Sequence, residues 1–216
     1  MDFPDDVVRW VSLHFEVADQ EQALAQLRSA VSHDGSPAGP RLQRCVALLS
    51  GGNLRRLGLG ISQLAVDSRD VIVPAEYIAH NGKNILVRDF NNPMDSPTNV
   101  VPICIQGQRY ISLKTFRKNG AGVATPVWFG EEDGKVYVMT RSDMGKTKRI
   151  RNNSKVTVAP CTIRGTVTGP EFAATARILP AEEHARARQA INRKYWMARI
   201  PLVWARTDTY IEISIA

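Results

Sequence analysis

The sequence has little that would indicate an extracellular scaffold, a metal centre or a membrane span. Only three cysteines occur among 216 residues (Cys45, Cys104 and Cys161), and they are far apart with no C-x-x-C pair. We therefore expect no disulfide framework and no metal site, as is typical of a protein in a reducing compartment. The apolar runs are only a few residues long, whereas a membrane-spanning helix needs roughly 20.

A targeting segment is also missing from the sequence as it stands. The first ten residues, MDFPDDVVRW, are acidic and do not show the basic and then apolar order of a signal peptide. The composition, 44% hydrophobic and 23% charged, is that of a globular chain. These features predict a soluble, cytoplasmic protein that does not enter a membrane.

Acidic residues are scarce in the second half of the chain. Residues 1–100 contain 9 Lys/Arg and 12 Asp/Glu, whereas residues 101–216 contain 19 and 9. Such a basic segment indicates an anionic partner, such as a phosphate-bearing cofactor or a nucleic acid, or simply a well-solvated surface. Nucleic acid is the less favoured partner, because the basic run from Arg141 to Lys155 contains no aromatic residue for base stacking.

The pattern of turns and prolines predicts an α+β protein with two domains. Residues 1–90 form a small mixed domain of unknown role, residues 91–107 a linker that contains N-N-P-M-D-S-P, and residues 108–216 the second domain. In the first domain we expect a helix capped by Asp19, a strand, a helix and two further strands. The expected strands are Cys45–Leu49, Val71–Ile78 and Asn84–Val87, and the second helix carries Leu54, Leu57, Ile61 and Leu64 on one face.

The second domain reads as six short strands with interposed helices, a pattern typical of a small barrel that closes on itself. An Asn-Gly turn at Asn119-Gly120 predicts a hairpin between its first two strands. The expected strands are Tyr110–Thr115, Gly122–Phe129, Val136–Thr140, Val156–Pro160, Thr166–Leu179 and Thr209–Ile215, and the helices are Met144–Asn152 and Pro180–Tyr195.

The segment from Thr140 to Asn153 is the best candidate for a phosphate site. A strand is followed by two candidate caps, Ser142 and Asp143, and then by a helix with Lys146, Lys148, Arg149 and Arg151 in or near its first turns. Cations there oppose the helix dipole, and a bound anion would remove the conflict. Lys146 would contact phosphate oxygens, and Thr140 and Ser142 would donate hydroxyl hydrogen bonds. A solvated basic surface is the alternative.

The strand V-A-T-P-V-W-F (residues 123–129) is the candidate site for a flat heteroaromatic ring. Alternation puts Thr125 and Val127 on one face and Pro126 and Trp128 on the other. Pro126 cannot donate to a β-ladder, so an unpaired stretch of strand is expected there. Packing alone would also account for Pro126 and Trp128.

Four blocks, in order, give the second half a specific resemblance: Y-I-S-L-K-T-F-R-K-N-G, V-A-T-P-V-W-F, D-G-K-V-Y-V-M-T and G-K-T-K-R-I-R-N-N-S-K-V-T-V-A-P-C-T-I-R-G. Over residues 108–216 the chain resembles the pyridoxamine 5'-phosphate oxidase-like (PPOX-class) superfamily of split β-barrels that bind FMN or a deazaflavin. The branch it resembles most is that of the PPOX-class deazaflavin-dependent oxidoreductases.

The resemblance implies a homodimeric flavin- or deazaflavin-dependent oxidoreductase that passes a hydride to a small unsaturated substrate. The cofactor is FMN or, alternatively, the deazaflavin coenzyme F-420. The isoalloxazine would lie along Thr125, Pro126, Val127 and Trp128, and the phosphate against Thr140, Ser142, Lys146 and Arg149. Trp204 and Arg206 would reach the partner's flavin. No catalytic side chain is indicated, and the alternative is a non-catalytic flavin- or haem-binding protein or a sensor.

The sequence departs from true pyridoxamine phosphate oxidases at their conserved cations. Thr125 and Gly130 stand where those enzymes carry an Arg and a Lys beside the ring, and Met144-Gly145-Lys146 stands where they carry Ser-Arg-Lys. Oxidation of vitamin B6 is therefore not expected, and the first hundred residues match nothing in that family.

Overall fold

The computed structural model describes residues 3–195 and 207–215, apart from the side chains of Pro97 and Thr98. The chain forms two compact units, Met1–Asn99 and Val100–Ala216. The domain boundaries expected from the sequence, with a linker at 91–107, stay a prediction. No helix in the described ranges is both long and apolar enough to cross a bilayer.

The first unit consists of five helices and one hairpin. The apolar side chains of the helices form its core, in which Val11, Leu27, Leu57 and Leu64 are fully buried. The elements are α1 (Asp5–His14), α2 (Val17–Ser29), α3 (Pro40–Ser50), α4 (Leu54–Val66), α5 (Arg69–Glu76), β1 (Tyr77–His80) and β2 (Lys83–Leu86). One further helical turn, α6 (Pro97–Val100), lies in the sequence where the first unit ends and the second begins.

The predicted strand Cys45–Leu49 is wrong, because these residues lie within helix α3. The apolar run is continuous, but Pro40 occupies the first turn and Gly51 ends the helix in the left-handed conformation with φ 55°. Proline at the start and glycine just past the end are helix signals. The run is buried within a helix that packs into the core, so its apolar continuity does not indicate a strand.

The predicted strand Val71–Ile78 is also wrong over most of its length. Residues 69–76 form α5, in which Val71 and Ala75 are buried four residues apart, and only the last residues enter β1. Core burial at helical spacing here overrides the β-propensity of Val71-Ile72-Val73. Asp19 lies inside the first turn of α2 and is not its N-cap, and α1 was not predicted. The helix α4 and the strand β2 confirm the two remaining predictions.

Internal ion pairs use much of the charge in the first unit. Arg44 donates to both carboxylate oxygens of Asp6, at 2.8 and 3.0 Å, and Arg41 donates to Glu76, which is fully buried. These interactions join α1, α3 and α5. These buried charges therefore serve the stability of the unit itself.

The second unit is a seven-stranded antiparallel sheet with the order β4-β3-β7-β8-β9-β6-β5. Two helices accompany it, α7 (Gly145–Asn152) and α8 (His184–Lys194), the second preceded by a short 3-10 turn, Ala181–Glu183. The strands are β3 (Ile111–Phe116), β4 (Gly122–Val127), β5 (Phe129–Glu132), β6 (Lys135–Thr140), β7 (Lys155–Pro160), β8 (Phe172–Ile178) and β9 (Thr209–Ile215). The α+β class is confirmed.

The sheet is curled so strongly that its two end strands meet. The predicted strand Gly122–Phe129 is in fact two strands, β4 and β5, which lie at opposite ends of the sheet order and are separated by Trp128 alone. Two consecutive Cα–Cα steps cover less than about 8 Å. The ends of the sheet therefore lie side by side without a ladder between them, which is the architecture of a split β-barrel.

Helix α8 packs against β5 at Gly130, with almost no space between the two backbones. A Cβ atom at Gly130 would lie 2.5 Å from the backbone carbon of Ala190 and from the nitrogen of Ile191. The cluster beneath the helix contains Tyr137 and Tyr210. Only glycine fits here. The lysine that true pyridoxamine phosphate oxidases carry at the corresponding position would displace α8.

We predict that Gly130→Ala lowers the free energy of unfolding by about 1–3 kcal/mol, because the added methyl meets backbone atoms that cannot move aside cheaply. Urea unfolding of the full chain, monitored by tryptophan fluorescence, measures the change. Gly122→Ala is the matched control, because its methyl would meet the flexible chain of Lys114 at 3.1 Å and the Phe116 ring at an ordinary contact distance of 3.6 Å. Equal stabilities for the two variants would contradict the close approach.

Candidate functional site

The start of helix α7 offers backbone donors without a capping side chain. Its N-cap is Met144, which makes no side-chain capping hydrogen bond, and its first turn contains no acidic residue. The predicted caps do not cap: Ser142 donates to Asp208 and Asp143 pairs with Arg141. The first N–H groups of a helix have no partner within the helix, so this end can receive an anion.

Lys146 lies in that first turn and is half-buried. Burial, and secondarily the charge of Arg149, lowers the pKa of its ammonium group. Within the described residues Lys146 forms no hydrogen bond or ion pair through its side chain. A partly desolvated cation at the positive end of a helix is unfavourable by itself, and an anion at this point would stabilise it.

Arg149 connects α7 to the sheet. The sequence placed it near the first turns, but the helix ends at Asn152, so Arg149 belongs to the last turn. Its side chain nevertheless extends back toward the first turn. The Arg149 Nη1 lies 2.9 Å from the position that a Cβ atom on Gly145 would occupy. Its Nε donates to the hydroxyl of buried Thr115 in β3 at 2.7 Å.

The strand β4 pairs with β3, which carries the Thr115 partner of Arg149, and β4 forms one edge of the sheet. Thr115 is opposite Val123, and Pro126 is opposite Ser112. The three residue-to-residue steps from Val123 to Pro126 span about 10 Å along the strand. Pro126 lies on an edge strand, but the expected unpaired stretch is not seen on the β3 side, where the register runs unbroken from Gly122 to Val127. Gly165 of the β7–β8 loop approaches the proline, because a Cβ atom at Gly165 would lie 3.5 Å from the Pro126 Cδ.

The four predicted ring contacts differ in their surroundings: Thr125 is half-buried and Pro126 is exposed, whereas Val127 and Trp128 serve packing. Val127 is buried, and the indole of Trp128 stacks on Tyr195 with ring centroids 4.9 Å apart and planes at 9°. The Tyr195 hydroxyl donates to the Arg109 carbonyl at 2.7 Å and accepts from a backbone N–H at 3.3 Å. Burial raises the pKa of Tyr195 to about 12, so it is a neutral donor.

Thr140 and Ser142 lie between β6 and α7. Thr140 is the last residue of β6 and is buried. The hydroxyl of Thr147 donates to the Arg141 carbonyl at 2.8 Å, which fixes the helix start to the strand end. Ser142 is already engaged, because its N–H and hydroxyl each donate to a carboxylate oxygen of Asp208 at 2.6 Å.

Sequence reasoning did not find Asp208, which precedes β9 and is 66 residues from its partner. The hydrogen bonds from Ser142 lower the pKa of the Asp208 carboxyl group, so it is ionised at neutral pH. This carboxylate would repel a phosphate at the same place. Trp204 and Arg206, predicted to reach a partner's flavin, lie outside the described residues.

Other reactive side chains of the second unit are engaged or inert. His184 contacts the Leu179 carbonyl through Nε2 at 3.1 Å. Burial raises the pKa of the Cys104 thiol to about 11 and also raises that of Cys161. Over the described ranges, no group of three or more His, Cys, Asp or Glu is arranged to hold a metal ion.

Comparison with known proteins gives only distant structural matches. No family model matches, and no curated protein matches. A conserved hypothetical protein from Mycobacterium tuberculosis is 19% identical, over 53% of this chain and 76% of its own, with a TM-score of 0.41. The haem storage protein HutZ from Vibrio cholerae is 11% identical, over 52% and 84%, with a TM-score of 0.41. A structure named F420 reductase is 18% identical, over 53% and 91%, with a TM-score of 0.40.

We predict that Asp208→Asn strengthens the binding of inorganic phosphate at the start of α7 by about two- to fivefold, because it removes an exposed negative charge beside the Ser142 amide. Shifts of the Ser142 and Lys146 amide resonances during a phosphate titration measure the affinity. Asp133→Asn makes the same charge change at a surface ion pair with Arg186 and serves as the control. An unchanged affinity in Asp208→Asn would place the anion elsewhere.

Proposed function

We propose that the chain is a flavin- or deazaflavin-dependent oxidoreductase with the cofactor phosphate at the start of α7 and the ring along β4. The observation that carries this proposal is the half-buried Lys146, which has no partner among the described residues and sits beside helix N–H groups that no side chain caps. The resemblance of residues 108–216 to a flavin-binding superfamily supports the same site.

The donors at this end of α7 fit a phosphate monoester. The Lys146 ammonium and the backbone N–H groups of the first turn would bind its oxygens, as helix N-termini do in other phosphate sites. Arg149 is held toward the same turn by Thr115. Thr140 and Ser142 remain proposed contacts, with Ser142 available only if Asp208 releases its hydroxyl.

The edge of β4 fits the ring portion. Thr125 presents a half-buried hydroxyl and Pro126 an exposed apolar surface without an N–H group. Val127 and Trp128 would shape the site from beneath, because both are packed into the unit.

When bound, FMN or F-420 supplies hydride transfer, and the side chains of this chain would bind and orient the cofactor and the small unsaturated substrate. No residue of β4 is titratable, so no side-chain acid or base is assigned. FMN is the first choice because it lacks the acidic tail of F-420 and needs less positive charge, which Lys146 and the helix start can supply. F-420 is the alternative, and a homodimer is proposed because the resembled family shares its cofactor site between two copies.

A non-catalytic flavin carrier or sensor is the second candidate, favoured by the same lack of titratable groups on β4. The absorption spectrum of the purified protein and of its released ligand distinguishes a flavin, a deazaflavin and a haem. Reaction of the reduced holoprotein with unsaturated acceptors then separates an enzyme from a carrier. A colourless protein that binds none of these cofactors on titration would exclude both candidates.

We predict that Lys146→Met weakens FMN binding by about tenfold to a hundredfold, because one charge-assisted hydrogen bond to the phosphate is lost. The stability of the cofactor-free protein should stay equal or rise by up to about 1 kcal/mol, since a partly desolvated cation is removed from a helix start. Fluorescence titration of FMN and urea unfolding give the two values.

Lys155→Met is the matched control, because Lys155 is exposed at the start of β7 and outside the proposed contacts. It should bind FMN as the unsubstituted chain does. A Lys146→Met variant that binds FMN normally, or one that loses stability without cofactor, would contradict the role given to Lys146.

A further inference from the structure

A second basic concavity lies at the other end of α7. It has a volume of about 380 Å³ and is formed by the turn after β3 and the C-terminal half of the helix. Its lining residues are Phe116, Arg117, Lys118, Lys148, Arg149, Asn152 and Asn153. We call it the hairpin cavity. The helical residues lie three or four positions apart, which brings them to the same side of α7.

Four cations line the hairpin cavity, and no carboxylate does. Within the part of the chain that the structure describes, none of these cations forms an ion pair. Acidic residues of this unit are instead engaged elsewhere, for example Glu171 with Lys114, Glu131 with Lys194, and Asp133 with Arg186. The positive charge of the cavity is therefore not compensated by the described side chains.

The amide side chains of the cavity add further donors. Asn153 accepts a hydrogen bond from the Lys155 N–H through its Oδ1, which leaves its NH₂ group available. Arg149 is fixed by its bond to Thr115, so its outer guanidinium nitrogens have a defined position. The Asn152 NH₂ group donates to the Lys148 carbonyl at 3.0 Å. Donors outnumber acceptors around the cavity, as is typical of an anion site.

The helix dipole does not account for this arrangement. Arg149, in the last turn of α7, would stabilise the helix in any surface setting, whereas Lys148 lies in the middle of the helix. Arg117 and Lys118, however, come from a different element, the β3–β4 turn, and they bring like charges toward the helix cations. Like charges brought together without counter-charges destabilise a fold, so a ligand is the simplest reason for their convergence.

We propose that the hairpin cavity binds a phosphorylated small molecule, with its phosphoryl oxygens on Arg117, Lys118, Lys148 and Arg149 and its organic part against Phe116. A volume of about 380 Å³ is larger than a single phosphate needs and falls within the range of small-molecule sites. The planar guanidinium groups suit phosphoryl oxygens. The hairpin cavity shares the Arg149 side chain with the start of α7, but Lys146 and Gly145 do not line it. The proposal does not depend on the proposed redox function.

Titration calorimetry of the cofactor-free full chain with pyrophosphate at low ionic strength tests the charged part. We expect the triple variant Arg117→Gln, Lys118→Gln, Lys148→Gln to bind at least about tenfold more weakly. The charge-matched control is Arg55→Gln, Arg56→Gln, Lys83→Gln, three exposed positions of the first unit, and it should bind within about twofold of the unsubstituted chain. Lys146→Met should also retain binding.

Phenyl phosphate tests the organic part. It should bind more tightly than inorganic phosphate, and Phe116→Leu should reduce this difference while pyrophosphate binding stays unchanged. Equal binding of the two ligands would overturn the role of Phe116.

Three results would overturn the site as a whole: no pyrophosphate binding, an equal loss in the charge-matched control, or a loss in Lys146→Met but not in the triple variant. The last result would place the anion at the start of α7 and would support the proposed function, so the two proposals can fail separately.

Discussion

The single residue between β4 and β5 is the constraint on which the second unit depends. Because Trp128 alone joins strands at opposite ends of the sheet order, the sheet must curl until its ends meet. The indole then has to be accommodated where the two ends come together, and it stacks on Tyr195 at the end of α8. Gly130, two residues later, lets the same helix approach β5 directly. The position of α8 and the exposure of β4 both follow from this junction.

The short helix α7 is the second feature that matters in this unit, because it carries cations that have no carboxylate partner. Many cations elsewhere in the unit have carboxylate partners, whereas Lys146 and Arg149 have none among the described residues. The bond from Arg149 to Thr115 fixes the helix against β3 and holds the guanidinium near the first turn. Such an arrangement opposes stability and favours anion binding, which is why a structural role alone does not explain it.

Sequence reasoning predicted the second unit well because its signals are local. The Asn-Gly turn, the alternating strands and Pro126 each constrain their own neighbourhood, and the predicted helices and strands differ mainly at their ends and at Trp128. In the first unit the apolar runs at Cys45 and Val71 fit either a strand or a buried helix. Packing against the other helices of the core favours the helix at both places. For the proposed site, the position of Lys146 at a helix start could be predicted from the sequence. Asp208 could not be found, because no local pattern links it to Ser142.

The contact between Asp208 and Ser142 also limits how an anion can use the start of α7. The carboxylate accepts hydrogen bonds from both the amide and the hydroxyl of Ser142. These two donors are therefore occupied, whereas the first N–H groups of the helix are open to an anion. Arg141, which could offset the carboxylate, is already paired with Asp143. A phosphate at this end must therefore rely on Lys146, the first-turn amides and Arg149. A ligand that also recruits Ser142 must first displace the carboxylate of Asp208, the residue immediately before β9.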